Sequence, residues 1–470
     1  MIGGLTLVLG LPLLAAAVAY LLRRWSWAAA GVAALVSGVL AWITWHWPAQ
    51  ATVYVLGRTV EMGQPLVVFG QVLKLTPAAM PVLSFTCLLA GACFIYAWRV
   101  SQGRSFFPFG LGLLAVYNAA LSTQPLIRAP LLLALAATLA VYVIQAGRPG
   151  STRGALRWLI FPVLALPFFM VAVWYLDQVA LNPNDVEPFA FAARLMAFGL
   201  LLLLMAVPLH GAVTTLVIEA PPLVSAFLLL CSNALVVYLL NGFLRVYPWL
   251  AEFHDVSGWL LWLGLITAGW AGLLALGQRS FRELWGYAVL FNYGCLLAAL
   301  GLGAPLGLPL AVSMFIARAA GMVLAAMGLS TVRHRARGDS FESVAGVARR
   351  LPWSTAGLLA GGLAMVGFPL TVGFPSQWAL LQLLAQDLPL AAIVLFLGGA
   401  GVVAGYVRGL QAVLGSLPDP AVEREPRIAS GLVALLLSVC VLLCLRPQLL
   451  TELVSTVTAA LGTIVEIPLS

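Results

Sequence analysis

The chain has 470 residues, of which 62% are hydrophobic and only 9% charged, with a mean hydropathy of +1.04. That balance excludes a soluble globule, and the absence of alternating ten-residue strands excludes a β-barrel. The net charge of +8 lies on loops between apolar runs, which argues against a nucleic-acid partner and for anionic headgroups or a partner protein.

A helix needs about 20 apolar residues to cross a bilayer. By that measure the chain shows fourteen spans, near 2–22, 26–46, 78–98, 107–123, 128–146, 158–177, 189–209, 221–242, 257–277, 284–302, 306–330, 353–371, 388–407 and 430–447. Arg23 and Arg24 follow the first run rather than precede it, so it reads as an uncleaved span and not a signal peptide. The loop 47–77 contains TVYVLGRTVEM and PLVVFGQVLKL, which suggest a hairpin. The loop 331–352 carries five arginines, and a linker at 414–429 precedes the last span. After 447 only a short tail is expected. The tryptophans near span ends (Trp25, Trp45, Trp47, Trp98, Trp158, Trp249 and Trp353) read as an interfacial belt.

Loops alternating from an outer N-terminus place seventeen arginines on the inner side, against four arginines and Lys74 on the outer side. The positive-inside rule then puts both termini outside the cytoplasm, in a prokaryotic cytoplasmic membrane. All six cysteines lie in spans, so no disulfide framework is expected. Cys440 and Cys444 share a helix face with no histidine or carboxylate near in sequence, so no metal site is expected. Without ligand clusters or nucleotide-binding loops, no cofactor is expected either.

Two spans are interrupted. In the seventh, Pro208, His210 and Gly211 break the run, and Glu219 precedes Pro221 and Pro222. In the twelfth, Gly367, Pro369, Gly373 and Pro375 do the same, and 372–386 continues the span beyond the break. Proline removes a helical hydrogen bond, and backbone groups freed at membrane depth must be covered by protein or water. Two such breaks, five spans apart, point to an inverted repeat with a site at its broken helices.

At these breaks the chain resembles the antiporter-like subunits of respiratory complex I, a family that includes Mrp-type cation/proton antiporters and energy-converting hydrogenase subunits. The resemblance covers roughly residues 65–415. It rests on PLH at 208–210 with EAPPLVSAFL at 219–228, on FRELWGYAVLFNYG at 281–294, and on GFPLTVGFPSQW at 367–378. It implies an all-α polytopic membrane protein of about fourteen helices with two inverted five-helix repeats. In one membrane domain, 1–470, the N-terminal spans take 1–106, the repeats 107–242 and 257–413, and the last span with its tail 430–470.

The family's proton path uses a glutamate in the fifth span, lysines in the seventh and eighth, and a lysine or glutamate in the twelfth. Carried onto this chain, those positions are Leu135, Leu203, Asn233 and Gln377, and Asn292 stands where the tenth span has a histidine. Amides keep hydrogen-bonding capacity and can hold a water chain, but they do not take up a proton near neutral pH. Four residues keep open roles. Arg318, mid-span in the eleventh, must face inward, as a fixed charge on the central axis or as a structural arginine bonded to broken-helix carbonyls. Glu219 reads as the mouth of a proton half-channel or as a solvated loop carboxylate. His210 reads as a proton relay or a kink-stabilising side chain. Tyr287 packs or holds water.

The resemblance implies a membrane-arm subunit of a complex I-like NADH:quinone oxidoreductase or hydrogenase-type assembly, non-catalytic itself and associated with redox-driven proton translocation. The loss of titratable groups leaves open a structural, non-conducting member. A subunit of a cation/proton antiporter or an inorganic-carbon uptake complex is the further alternative. The partners expected are other membrane subunits and the lipid bilayer.

Overall fold

The computed structural model describes residues 2–48, 52–55, 58–68, 70–146, 152–179, 187–253, 255–303, 305–416 and 422–464. The helices are Gly4–Leu21 (α1), Ser26–His46 (α2), Ala79–Arg99 (α3), Phe106–Leu121 (α4), Ala129–Ile144 (α5), Arg153–Val179 (α6), Glu187–Leu204 (α7), Gly211–Glu219 (α8) and Pro222–Val246 (α9). Then follow Trp249–Phe253 (α10), Val256–Ala275 (α11), Phe281–Gly301 (α12), Gly307–Ala336 (α13), Pro352–Ala364 (α14), Phe374–Asp387 (α15), Pro389–Leu414 (α16), Arg427–Leu445 (α17) and Gln448–Leu461 (α18).

Each of the fourteen apolar runs coincides with a helix. Among the described residues, twelve helices are long and apolar enough to cross a membrane. The two runs outside that set are α4, which has 16 residues, and the twelfth, whose break leaves 13 in α14. The apolar character that suits these helices to lipid also lets them bury their flanks against one another, because every backbone group is satisfied within the helix.

One feature departs from the sequence reading. The loop 47–77 does not make one hairpin from its two apolar runs; each run folds on itself. Thr52–Val55 (β2) pairs with Arg58–Glu61 (β3), which also pairs in parallel with Ile2–Gly3 (β1). Leu66–Val68 (β4) pairs with Gln71–Leu73 (β5) across Gly70, whose φ of +73° suits the turn, and Thr123–Gln124 (β6) joins them. Each run carries its own turn, so the closer pairing wins. The tail after 447 contains α18, with leucines and valines recurring at helical spacing. Of the expected tryptophan belt, Trp25, Trp45, Trp98 and Trp353 are exposed, whereas Trp158 is buried.

The chain divides into two compact units. The first comprises Met1–Met205, Phe227–Asp255 and Ala459–Ser470. In it α2 packs on α3, α1 on α4, α4 on α5, and α6 on both α5 and α7. The second comprises Ala206–Ala226 and Val256–Thr458. There α12 is central, packed by α8, α11, α13 and α16, while α14 lies against α13 and α17. The α11–α12 contact runs backbone to backbone: a Cβ on Gly294 would lie 2.6 Å from the Gly264 carbonyl oxygen and 2.6 Å from the Ala268 nitrogen. Small residues here let the helices approach closely enough for dispersion to hold them without a hydrophobic drive.

Candidate functional site: a buried arginine–amide row at the broken helix

The second unit contains α8 and the α14–α15 break. After α14 the chain turns through Gly367 (φ +71°) and Leu370 (φ +67°) before α15 begins. A Cβ on Gly373 would collide with the Ala364 carbonyl, so only glycine lets the two half-helices meet there. The break frees the carbonyl of Met365, which accepts a hydrogen bond from Asn292 Nδ2 at 2.8 Å. The α7–α8 break is treated in the same way. The N–H of Val207 donates to Thr267 Oγ1 at 3.2 Å, and that hydroxyl donates to Leu263 O at 2.7 Å. Side chains of α11 and α12 thus satisfy backbone that the breaks leave open.

Arg318 sits mid-way along α13 and is 1% exposed. Its Nη1 donates to Val289 O at 2.9 Å and to Asn292 Oδ1 at 3.2 Å. Its Cζ lies 5.3 Å from the Tyr293 ring centroid, within cation–π range. One turn along α12 from Asn292, the Cys295 thiol receives the Gln377 amide at 3.2 Å. The row therefore runs from a guanidinium through one amide to a broken-helix carbonyl, with a thiol and a second amide beside it. Arg318 Nε, the Tyr293 hydroxyl and Gln377 Oε1 are buried without a hydrogen-bond partner among the described residues.

A charge at membrane depth costs about 2.5–3.5 kcal/mol on insertion scales. Hydrogen bonds to a charged group return about 1.5–3 kcal/mol each, so the two Nη1 bonds can offset that cost. A guanidinium stays protonated in proteins, and amides neither gain nor lose a proton near neutrality. The row can hold positive charge and orient water. It cannot relay a proton by switching charge.

Of the residues singled out from sequence, Arg318 and Asn292 are joined directly, and Gln377 flanks them through Cys295. Tyr287 is half-buried earlier on α12. His210 occupies the N-cap of α8 without a side-chain capping bond, and Glu219 is the last residue of that helix; both are half-buried. Pro208 lies in the segment between α7 and α8, Gly211 opens α8, and Pro369 is exposed in the second break. Asn233 belongs to the first unit, half-buried on α9. Its neighbour Ser232 makes the polar contact there, with the Tyr117 hydroxyl at 2.8 Å. Leu203 is buried, but Leu135 is 47% exposed, so that face of α5 points away from its unit's interior.

Sequence reasoning missed Thr267, Cys295 and the Met365 carbonyl, because neither a threonine nor a cysteine in an apolar span signals which backbone group it will meet. It also passed over Arg282 as one loop arginine among many. Arg282 is ion-paired with Asp339 and donates through Nη1 to Ile218 O, the carbonyl just before Glu219. Ser280 Oγ donates to Asp339 Oδ1 at 3.2 Å, and Phe281 N donates to Asp339 O at 2.9 Å. The end of α8 is thereby tied to the start of α12 and to the loop after α13.

Comparison with known proteins agrees with this architecture. NADH-quinone oxidoreductase subunit N of Desulforudis audaxviator is 25% identical over 442 residues, covering 86% of this chain and 83% of that one. The structure of an archaeal membrane-bound sulfane sulfur reductase contains a chain that superposes with a TM-score of 0.79 at 18% identity, over 98% of both chains. A chain of respiratory complex I from Thermus thermophilus superposes with a TM-score of 0.75 at 19% identity, over 98% of this chain and 99% of that one. At those identities the two structures show the fold. The family described as NADH:quinone oxidoreductase/Mrp antiporter, transmembrane, matches residues 166–402, which include both helix breaks and the whole arginine–amide row. This chain is an integral, multi-pass membrane protein and belongs to that family.

Proposed function

We propose that the chain is an antiporter-like membrane-arm subunit of a multi-subunit assembly of the NADH:quinone oxidoreductase or hydrogenase type, associated with proton translocation by the assembly. Its setting is a prokaryotic cytoplasmic membrane with both termini outside the cytoplasm, supported by the inner-loop arginine excess. Residues 107–242 and 257–413 form two inverted five-helix repeats, a reading supported by the helix breaks after Leu204 and Ala364.

Within that assembly the second unit acts through a fixed charge. The observation that carries this is the bond from Arg318 to Asn292, whose amide in turn holds the open carbonyl at the α14–α15 break. A row with a permanent guanidinium and two amides raises the barrier to any cation entering it and locks the broken helix in one arrangement. The subunit then serves as a scaffold and ion barrier in the membrane arm, and proton movement through the assembly belongs to its partners.

The test is proton flux in proteoliposomes holding the intact purified assembly while its driving reaction is followed. Wild type is compared with Glu219→Gln, His210→Ala and Arg318→Ala. Unchanged stoichiometry in the first two, with collapse of the assembly when the subunit is deleted, supports the scaffold reading. Loss of coupled pumping in assembled Glu219→Gln or His210→Ala particles overturns it and places a proton relay at α8.

A further inference from the structure

The loops that join the helices of the second unit at the end where α12, α14 and α17 begin are stitched into one surface. Ser280 bridges Ser340, and Gly346 N donates to Ala412 O at 3.0 Å. Glu425 accepts from Trp353 N at 3.2 Å and from Ser354 N at 2.7 Å, capping α14. Three acids at this end are engaged internally: Asp339 by Arg282 and Arg333, Glu423 by Arg335, and Glu425 by the α14 N-terminus, while Glu283 and Glu342 make no ion pair among the described residues and are outnumbered by the arginines. Arg408 is engaged too, bonded to the carbonyls of Ala275 and Leu276 that end α11. Arg279, Arg337, Arg349, Arg350, Arg424 and Arg427 make no ion pair among the described residues.

We propose that this arginine surface is a binding site for the headgroup phosphate of an anionic membrane lipid, with the acyl chains lying along α17. The charge is what a phosphodiester requires, and an arginine fork matches its oxygens in pairs. Depth favours lipid over an acidic protein segment, because Arg424 and Arg427 stand where α17 begins, at the end of a membrane-crossing helix. Farther along the same helix a bare apolar flank is turned outward: Leu435 is 63% exposed and Leu442 52%. Trp353, 49% exposed in the first turn of α14, supplies the aromatic side chain that settles at headgroup level. Charge above and apolar flank below fit the two halves of one lipid. An acidic peptide would use only the first. The site does not depend on how ions move through the assembly.

The test is native mass spectrometry of the purified assembly after detergent washing and titration with phosphatidylglycerol. Phosphatidylcholine serves as the neutral control. Each arginine near a membrane surface contributes about fivefold in affinity for anionic lipid. Arg349→Gln/Arg350→Gln and Arg424→Gln/Arg427→Gln should each lower retained phosphatidylglycerol by at least tenfold. Wild-type retention of phosphatidylglycerol should itself weaken as salt is raised. Lys74→Gln/Arg128→Gln, which leaves this surface intact, should retain wild-type binding. If the glutamine variants fail to assemble, lysine variants at the same positions keep the charge without the fork and should retain phosphatidylglycerol more weakly than wild type; wild-type retention in them overturns the proposal. Equal retention in the glutamine variants overturns the proposal. So does loss of a co-purifying acidic subunit from those variants with lipid binding unchanged, which would make the surface a protein interface.

Discussion

Arg318 Nη1 and Asn292 Oδ1 lie 3.2 Å apart in the buried interior of the second unit, and the other end of the same amide holds the Met365 carbonyl at 2.8 Å. One asparagine thus links a permanent charge to an open helix end. Removing either side chain exposes a different weakness.

Arg318→Gln removes the charge while keeping hydrogen-bond donors. A unit charge about 4 Å away at an effective dielectric near 20 is worth about 4 kcal/mol, so its loss should raise passive proton or sodium leak through the reconstituted assembly by at least tenfold. Arg318→Lys keeps the charge and should stay tight. A leak rate in Arg318→Gln vesicles equal to wild type would show that the guanidinium is not a barrier.

Asn292→Leu keeps the branching at Cγ with a bulkier, apolar head; it leaves the Met365 carbonyl unpaired and Arg318 with only the Val289 carbonyl. Each unsatisfied buried group costs about 1–3 kcal/mol, so the variant should unfold or dissociate at clearly lower temperature than wild type. The check is thermal dissociation of the detergent-purified assembly. An unchanged midpoint would mean that water replaces the amide fully.

Arg282 faces Asp339 and the Ile218 carbonyl at once. Arg282→Asp should impair assembly through like-charge repulsion with Asp339. The swap Arg282→Asp/Asp339→Arg restores an ion pair but not the bond to the end of α8. Assembly yield should recover in the swap, while hydrogen exchange at 215–219 stays faster than in wild type. Full recovery of both would reduce the cluster to its charge pair.

Glu425 caps α14 from 71 residues away in sequence. Its replacement by alanine uncovers two backbone N–H groups and should cost about 1–2 kcal/mol, while glutamine, which keeps one acceptor oxygen, should cost less. Loss of protection at Trp353 and Ser354 in exchange measurements is the local readout.

Helix existence and the sites of the two breaks were legible from local features. Twenty-residue apolar runs have no stable state in lipid other than helix, and proline and glycine interrupt such a helix wherever they occur. Arg318 was legible as inward-facing for the same reason, since a mid-span guanidinium cannot face lipid. The two hairpins of the 47–77 loop were misjudged because turn geometry, set by Gly70 in the second of them, decided pairing over apolar pattern.

The sequence by itself determined a membrane-embedded helical chain, its loop-charge asymmetry, and an arginine, Arg318, at mid-span. Only tertiary structure decided which polar groups meet. Asn292 reaches a carbonyl 73 residues later, Gln377 reaches a thiol 82 residues earlier, and Arg282 reaches back to the end of α8. Such contacts depend on crossing geometry between helices, set by where small residues let backbones approach, as at Gly264 and Gly294. Composition and period record which face of a helix is apolar, but not which residue of a neighbour that face will meet.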